Sequence, residues 1–321
     1  MSGRWLAATV AMIAALGGLA VWRSGVATGS RPGAETQAAG HSLAVFAGIA
    51  PLAGLVERVG GAHVEVNVLV QPGQNEHVFE PPPRLIVQLS KATLFFKVGL
   101  PLEERLVERI AANHPNLSVI DTARGIRKRP MDEDLDEDEH EETGRQGEPD
   151  PHVWMSPANL KIMAANVSEA LCRADPAHAG DYRKNLAALA AELDAVDARL
   201  TRALTPYRGQ SFYVFHPAFG YLADAYGLKQ QAVELGGKSP TPRQLRRLIA
   251  RARAERVRIV FVQPQFDPRG VQAVAEAIGG TVRPLDPLAK DVVANLDDLA
   301  TKIAEALASE KPAARSDRKM M

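Results

Sequence analysis

The sequence predicts an α/β protein of two lobes, each a parallel-type sheet flanked by helices, joined by one long connector helix. Three observations carry this. Short apolar runs alternate with helix-period segments in both halves of the chain, the pattern of βαβ units. An acidic run, Asp132 to Glu142, breaks that alternation and marks an abrupt shift in composition. Beyond it, Ala179 to Leu204 keeps a helical period with few breakers other than Gly180; at about 1.5 Å per residue it spans on the order of 40 Å, enough to run the height of both lobes.

The elements follow in order. Leu43 to Ala47 is a short apolar run, and Ala50 to Val59 has helical spacing that ends at Gly60-Gly61, a C-terminal stop. Val64 to Val70 alternates as a strand, Arg84 to Ser90 reads as a helix, Ala92 to Val98 as a buried strand, Leu102 to Ala112 as a helix and Leu117 to Ile120 as a strand. After the acidic insert come helices over Asn159 to Arg173 and Ala179 to Leu204, separated at Asp175-Pro176. Strands are then expected over Ser211 to Phe215, Gln231 to Leu235, Val257 to Gln263 and Thr281 to Leu285. Helices over Tyr221 to Tyr226, Pro242 to Glu255, Pro268 to Ile278 and Leu296 to Ser309 lie between or after them. The expected division is an N-terminal lobe over 41–157 with the insert at 131–149, the helical connector over 158–205, a C-terminal lobe over 206–310 and a polar tail over 311–321.

With 321 residues, 46% hydrophobic and 5% aromatic, the chain can bury two aliphatic cores. Formal net charge is zero, and there is no long basic stripe interleaved with aromatics, so nucleic acid is not an expected partner. Arg4, the apolar stretch Trp5 to Trp22 and a Gly/Ser/Ala/Thr-rich spacer to Gly40 form an export pattern: 1–27 reads as a signal peptide cleaved after Ala27, and 28–40 as a spacer. The stretch exceeds the usual signal core of about 7–15 residues, so an uncleaved anchor is the alternative. Either places the protein in the periplasm. Cys172 has no partner in the sequence, so stability must come from the core and any bound metal rather than from disulfides.

Four loop phrases carry candidate metal ligands: Gly73-Gln-Asn-Glu-His77-Val-Phe-Glu-Pro81, Asp150-Pro-His152-Val-Trp-Met-Ser-Pro157, Phe212-Tyr-Val-Phe-His216-Pro-Ala-Phe-Gly220 and Pro284-Leu-Asp286-Pro-Leu288. Three imidazoles with one carboxylate are a donor set that tetrahedral Zn2+ accepts. At least three of the four follow predicted strands, where open parallel sheets bind ligands. His77 and His152 would come from the first lobe and His216 and Asp286 from the second, with the ion in the cleft. Trp154 and Phe219 are read as packing residues beside the ligands, and His41, His63, His114 and His178 as loop or surface residues.

The phrases Pro-Gly-x-x-x-His-x-x-Glu-Pro at His77, Asp-Pro-His-x-Trp at His152, His-Pro-Ala-Phe-Gly-Tyr at His216 and Leu-Asp-Pro-Leu at Asp286 closely resemble the zinc-uptake solute-binding proteins of bacterial ABC transporters, the ZnuA-type branch of the cluster A-I metal-binding family. The resemblance runs from Leu43 to Leu307. It implies metal histidines at His77, His152 and His216, with Asp286 as the carboxylate or, as in some zinc members, the glutamate before the first histidine, here Glu76. It also implies a membrane permease with its cytoplasmic ATPase as partners, and a monomeric protein is expected. The histidine-rich loop common in zinc members is replaced by the acidic insert, in which His140 is only a weak auxiliary candidate. The disulfide of many Gram-negative members is excluded, and Gln263 stands where a glutamate is common.

Nitrogen-rich donors favour Zn2+ over Mn2+, which stands second. Release would follow from pulling one lobe's ligands away. A zinc hydrolase with Glu76 as general base is the alternative from another class, against which stand the missing His-Glu-x-x-His helix motif and a carboxylate in the fourth position. A surface adhesin on the same fold is the third reading.

Overall fold

The computed structural model describes residues 42–111, 114, 116–131, 148–234, 241–267 and 269–310. The signal or anchor over 1–27, the spacer, His41, most of the acidic insert with His140, and the tail over 311–321 lie outside the described residues.

Two four-stranded parallel sheets form the framework. In the first, β1 (Leu43–Ile49), β2 (Val64–Val70), β3 (Leu94–Lys97) and β4 (Ser118–Asp121) lie in the order β2-β1-β3-β4. In the second, β5 (Ser211–Val214), β6 (Lys229–Ala232), β7 (Ile259–Val262) and β8 (Thr281–Pro284) lie in the order β6-β5-β7-β8. All six strand pairings are parallel, as helical crossovers require. Between the strands run α1 (Ala50–Gly60), α2 (Pro83–Leu89), α3 (Pro101–Ala111), α6 (Gly220–Tyr226), α7 (Pro242–Ala254) and α8 (Arg269–Ile278). The C-terminal helix is α9 (Val292–Glu310), which starts four residues before the apolar stripe first recognisable at Leu296.

β6 also departs from expectation. It begins at Lys229 rather than Gln231, because Gly227 ends α6 in the left-handed conformation and pairing with β5 starts at once. Val233 and Glu234, which look like strand from composition, turn off the sheet end while their N–H groups donate to Val214 O and Phe215 O at 2.9 and 2.8 Å. α7 has a complete N-terminal cap: Thr241 and Gln244 exchange side-chain and backbone hydrogen bonds, with Pro242 at the first helical position.

One helix crosses from one lobe to the other. α4 (Pro157–Ala174) packs on α1 and β4 of the first lobe, and after a break at Pro176 α5 (Ala179–Leu204) runs on to the second. On α5, Tyr182, Leu189, Leu193, Val196, Leu200 and Leu204 are buried at three- and four-residue spacing, one continuous apolar stripe. This stripe packs against α1 and α4 on one side and α6 and α9 on the other. A single core therefore runs from β1 through Trp154 and α5 to α9, and Trp154 Nε1 donates to Pro287 O at 2.8 Å across the junction. A smaller core, including Tyr213, Leu248, Val260, Val271 and Ile278, fills the outer face of the second sheet under α7 and α8. Among the described residues no helix is long and apolar enough to cross a membrane.

Candidate metal centre

The loop after β2 folds on itself before it reaches α2. Gln74 N–H donates to Gln71 O, and His77 N–H donates to Asn75 Oδ1 at 2.8 Å, an Asx turn that throws Glu76 inward and His77 beside it. Glu76 is 2% exposed. His152 follows Asp150 in a tight turn: Asp150 Oδ1 accepts both His152 N–H at 2.9 Å and Nδ1–H at 2.8 Å. His216 leaves the end of β5. Its N–H donates to Gln263 Oε1 at 3.2 Å, Gln263 Nε2 donates to its carbonyl at 2.6 Å, and its Nδ1–H donates to Glu234 Oε2 at 3.0 Å.

These anchors aim three Nε2 atoms at one point. His77 Nε2 lies 3.0 Å from His216 Nε2, which lies 3.2 Å from His152 Nε2. Glu76 Oε1 is 3.6 Å from His77 Nε2 and 3.9 Å from His152 Nε2. One donor atom from each of Glu76, His77, His152 and His216 falls within 4.8 Å of all the others. Ligand bonds of about 2.0–2.1 Å imply tetrahedral edges of about 3.3 Å, and the observed spacings bracket that value.

The surroundings of the donors orient them for ligation. Carboxylates on Nδ1 of His152 and His216 fix the tautomer that leaves the Nε2 lone pair free. Burial, then the neighbouring His216 and His152, push His77 down from 6.5 to about 3, so its imidazole is unprotonated at neutral pH. Burial alone would raise the Asp150 carboxyl, but hydrogen bonds from His152 and Arg129 outweigh it and hold it below the ordinary carboxylate range. Glu76 Oε2 is buried with no hydrogen-bond partner among the described residues. Inward lone pairs and a buried carboxylate repel one another unless a cation sits between them. Trp154 meets the His152 ring edge-on at 5.4 Å and Phe266 stacks on His216 at 5.1 Å, shielding the donors from water. A cavity of about 610 Å³, bordered by His77, His216, Gly99, Met131 and Glu148, opens onto the group.

The structure thus brings together His77, His152, His216 and Glu76, but leaves Asp286 outside the group. The Asp286 carboxylate is engaged in its own turn, accepting Gln265 Nε2 and Leu288 N–H, each at 2.9 Å. His140 lies outside the described residues. Sequence reading gave no role to the outer partners Asp150, Glu234 and Phe266. Asp150 was visible, two residues before His152 inside the Asp-Pro-His turn; Glu234 carried no local signal.

The chain is similar to known metal-binding proteins. A high-affinity zinc uptake system protein ZnuA from Brucella abortus is 26% identical over 288 residues, covering 79% of this chain and 86% of that protein. The crystal structure of a ZnuA deletion mutant with zinc bound is 34% identical, with TM-score 0.76 over 83% of this chain and 98% of that one. A cadmium-bound periplasmic metal binding protein from Candidatus Liberibacter asiaticus shares the fold at 20% identity, with TM-score 0.71 over 82% of this chain and 99% of that one. Residues 45–309 match the family described as ZnuA, zinc-uptake complex component A, periplasmic, and the chain belongs to that family.

Proposed function

We propose that the protein is an extracytoplasmic solute-binding protein that captures Zn2+ in the cleft between its lobes and delivers it to the permease of an ABC transporter with a cytoplasmic ATPase. The ligands are His77, His152, His216 and Glu76. The observation that carries this reading is the convergence of three Nε2 atoms and one carboxylate oxygen within 4.8 Å. Zinc is preferred to manganese because three of the four donors are nitrogen. With Glu76 in the fourth position no ligand site is left open for an attacking water, which weighs against a hydrolase. Release follows from withdrawal of the loop carrying Glu76 and His77, whose bracing is a local turn, while His152 and His216 stay fixed by their carboxylates.

Native mass spectrometry with metal analysis tests the reading. One zinc per chain, displaced by manganese only at large excess, is the expected result. His216→Ala should lose more than the about 10–100-fold that an outer partner is worth. Parent-like zinc binding by that variant would refute the assigned site.

A further inference from the structure

The acidic insert leaves and rejoins the fold through a short stem. Pro130 and Pro149 pair as an antiparallel bridge, Met131 N–H donates to Glu148 O at 2.8 Å, and Asp150 N–H donates to Arg129 O at 2.9 Å. The stem sets Arg129 beside Asp150, the fully buried carboxylate that orients His152. Arg129 Nη1 donates to Asp150 Oδ2 at 3.1 Å, and Nε donates to Asp224 Oδ2 on α6 at 2.8 Å. Its backbone N–H donates to Tyr221 OH at 3.2 Å, and that hydroxyl donates onward to Asp150 O at 3.0 Å. Gly220 leaves the room this needs. A Cβ there would overlap the guanidinium and come within 2.9 Å of Asp150 Oδ2.

One oxygen of Asp150 is used by His152, and a buried carboxylate needs a partner for the other. The guanidinium is suited to this place because its rigid fork donates in two directions, toward Asp150 in the first lobe and Asp224 in the second. We propose that Arg129 is a positioning residue for metal capture: it fixes Asp150, and through it His152, in a way that depends on the two lobes being docked. The inference rests on reading the four-donor group as a metal site.

The test compares the parent with Arg129→Gln, Arg129→Lys, Asp224→Asn and the double variant Arg129→Gln/Asp224→Asn. Zinc affinity is read by chelator competition, and Co2+ absorption in the visible reports ligand geometry. Arg129→Gln should weaken zinc about 10–100-fold and change the Co2+ spectrum, as loss of an outer-shell partner does. Arg129→Lys should recover part of both, Asp224→Asn should cost a smaller factor, and the double variant should be no worse than Arg129→Gln. Parent-like affinity and spectrum in Arg129→Gln would overturn the proposal, as would lost thermal stability with both readouts unmoved. Effects of Arg129→Gln and Asp224→Asn that multiply independently would overturn the two-lobe dependence. If Arg129→Gln does not fold, parent-like affinity and spectrum in both Arg129→Lys and Asp224→Asn would be the refutation. A parent that binds neither Zn2+ nor Co2+ would instead overturn the metal reading itself.

Discussion

The two sheets share one strand order but use it in opposite ways. In both, the chain reverses direction across the sheet between the first and third strands, so a crevice is expected beyond the carboxyl ends of β1 and β3 and of β5 and β7. In the second lobe that place holds His216, clamped by Gln263 beyond β7 and Glu234 beyond β6. In the first lobe it is plugged. The Glu103 carboxylate fills it, Oε2 accepting the N–H groups of Val98, Gly99 and Leu100 at 3.0, 2.8 and 2.8 Å, and a Cβ on Gly48 would overlap it. The first lobe's donors come instead from the loop after β2 and the segment after the insert. Topology offers two crevices; side chains decide which becomes a site.

If the second lobe's crevice and the β2 loop form one site, the carboxylate must come from the loop. Glu76→Gln should therefore have the largest effect, weakening zinc more than about 100-fold, beyond what loss of an outer partner costs. Asp286→Asn should stay below about tenfold, since its carboxylate serves Gln265 and its own turn. Chelator competition on the two variants decides, and the reverse ranking would move the fourth ligand to the second lobe.

The next effect concerns how the donors are held. Asp150→Asn and Glu234→Gln should each weaken zinc about 10–100-fold, or about 1.4–2.8 kcal/mol, because each exchanges the charged acceptor that fixes an imidazole tautomer for a weaker, neutral amide oxygen. Gln263→Glu should weaken it less. The carboxylate can still accept His216 N–H, but it faces the His216 carbonyl, to which the amide now donates. Parent-like affinities in all three, measured side by side, would mean that His216 and His152 need no bracing.

Much of this was legible in the sequence, and the limits are physical. The connector helix could be read because its stripe repeats every three or four residues, and the three histidines because each stands in its own turn phrase. The choice between Glu76 and Asp286 could not be read, since both sit in the right kind of loop and only the Asx turn at Asn75 directs one inward. Glu234 and Gln263 act on His216 from 18 and 47 residues away, a distance over which no periodic pattern carries information. Glu103 was invisible for another reason: among Glu104, Arg105, Glu108 and Arg109 it looks like one more surface charge on an amphipathic helix.

The plugged crevice makes its own prediction in stability rather than binding. Gly48→Ala should lower unfolding free energy by about 1–3 kcal/mol, the usual cost of overpacking, because the added methyl meets the Glu103 carboxylate. A parent-like denaturation midpoint would mean that the plug can move aside.

The last effect is one of pH, and in it two of the first lobe's titrating groups, Glu103 and His77, oppose each other. Burial, outweighing the three backbone N–H groups, pushes the Glu103 carboxyl from 4.5 up to about 7. Between those values the folded chain binds the proton more tightly than the unfolded chain, so this group's contribution to stability falls as pH rises through the window and is flat above it. His77, pushed down from 6.5 to about 3, has the opposite sign: its contribution is present above 6.5 and is lost as pH falls toward 3. Denaturation of the metal-free parent and Glu103→Gln at pH 4.5 and pH 7.5 separates them, since glutamine cannot titrate while His77 is common to both. The parent should lose stability relative to the variant on going to the higher pH. A difference that does not change with pH would mean that Glu103 titrates as an ordinary carboxylate.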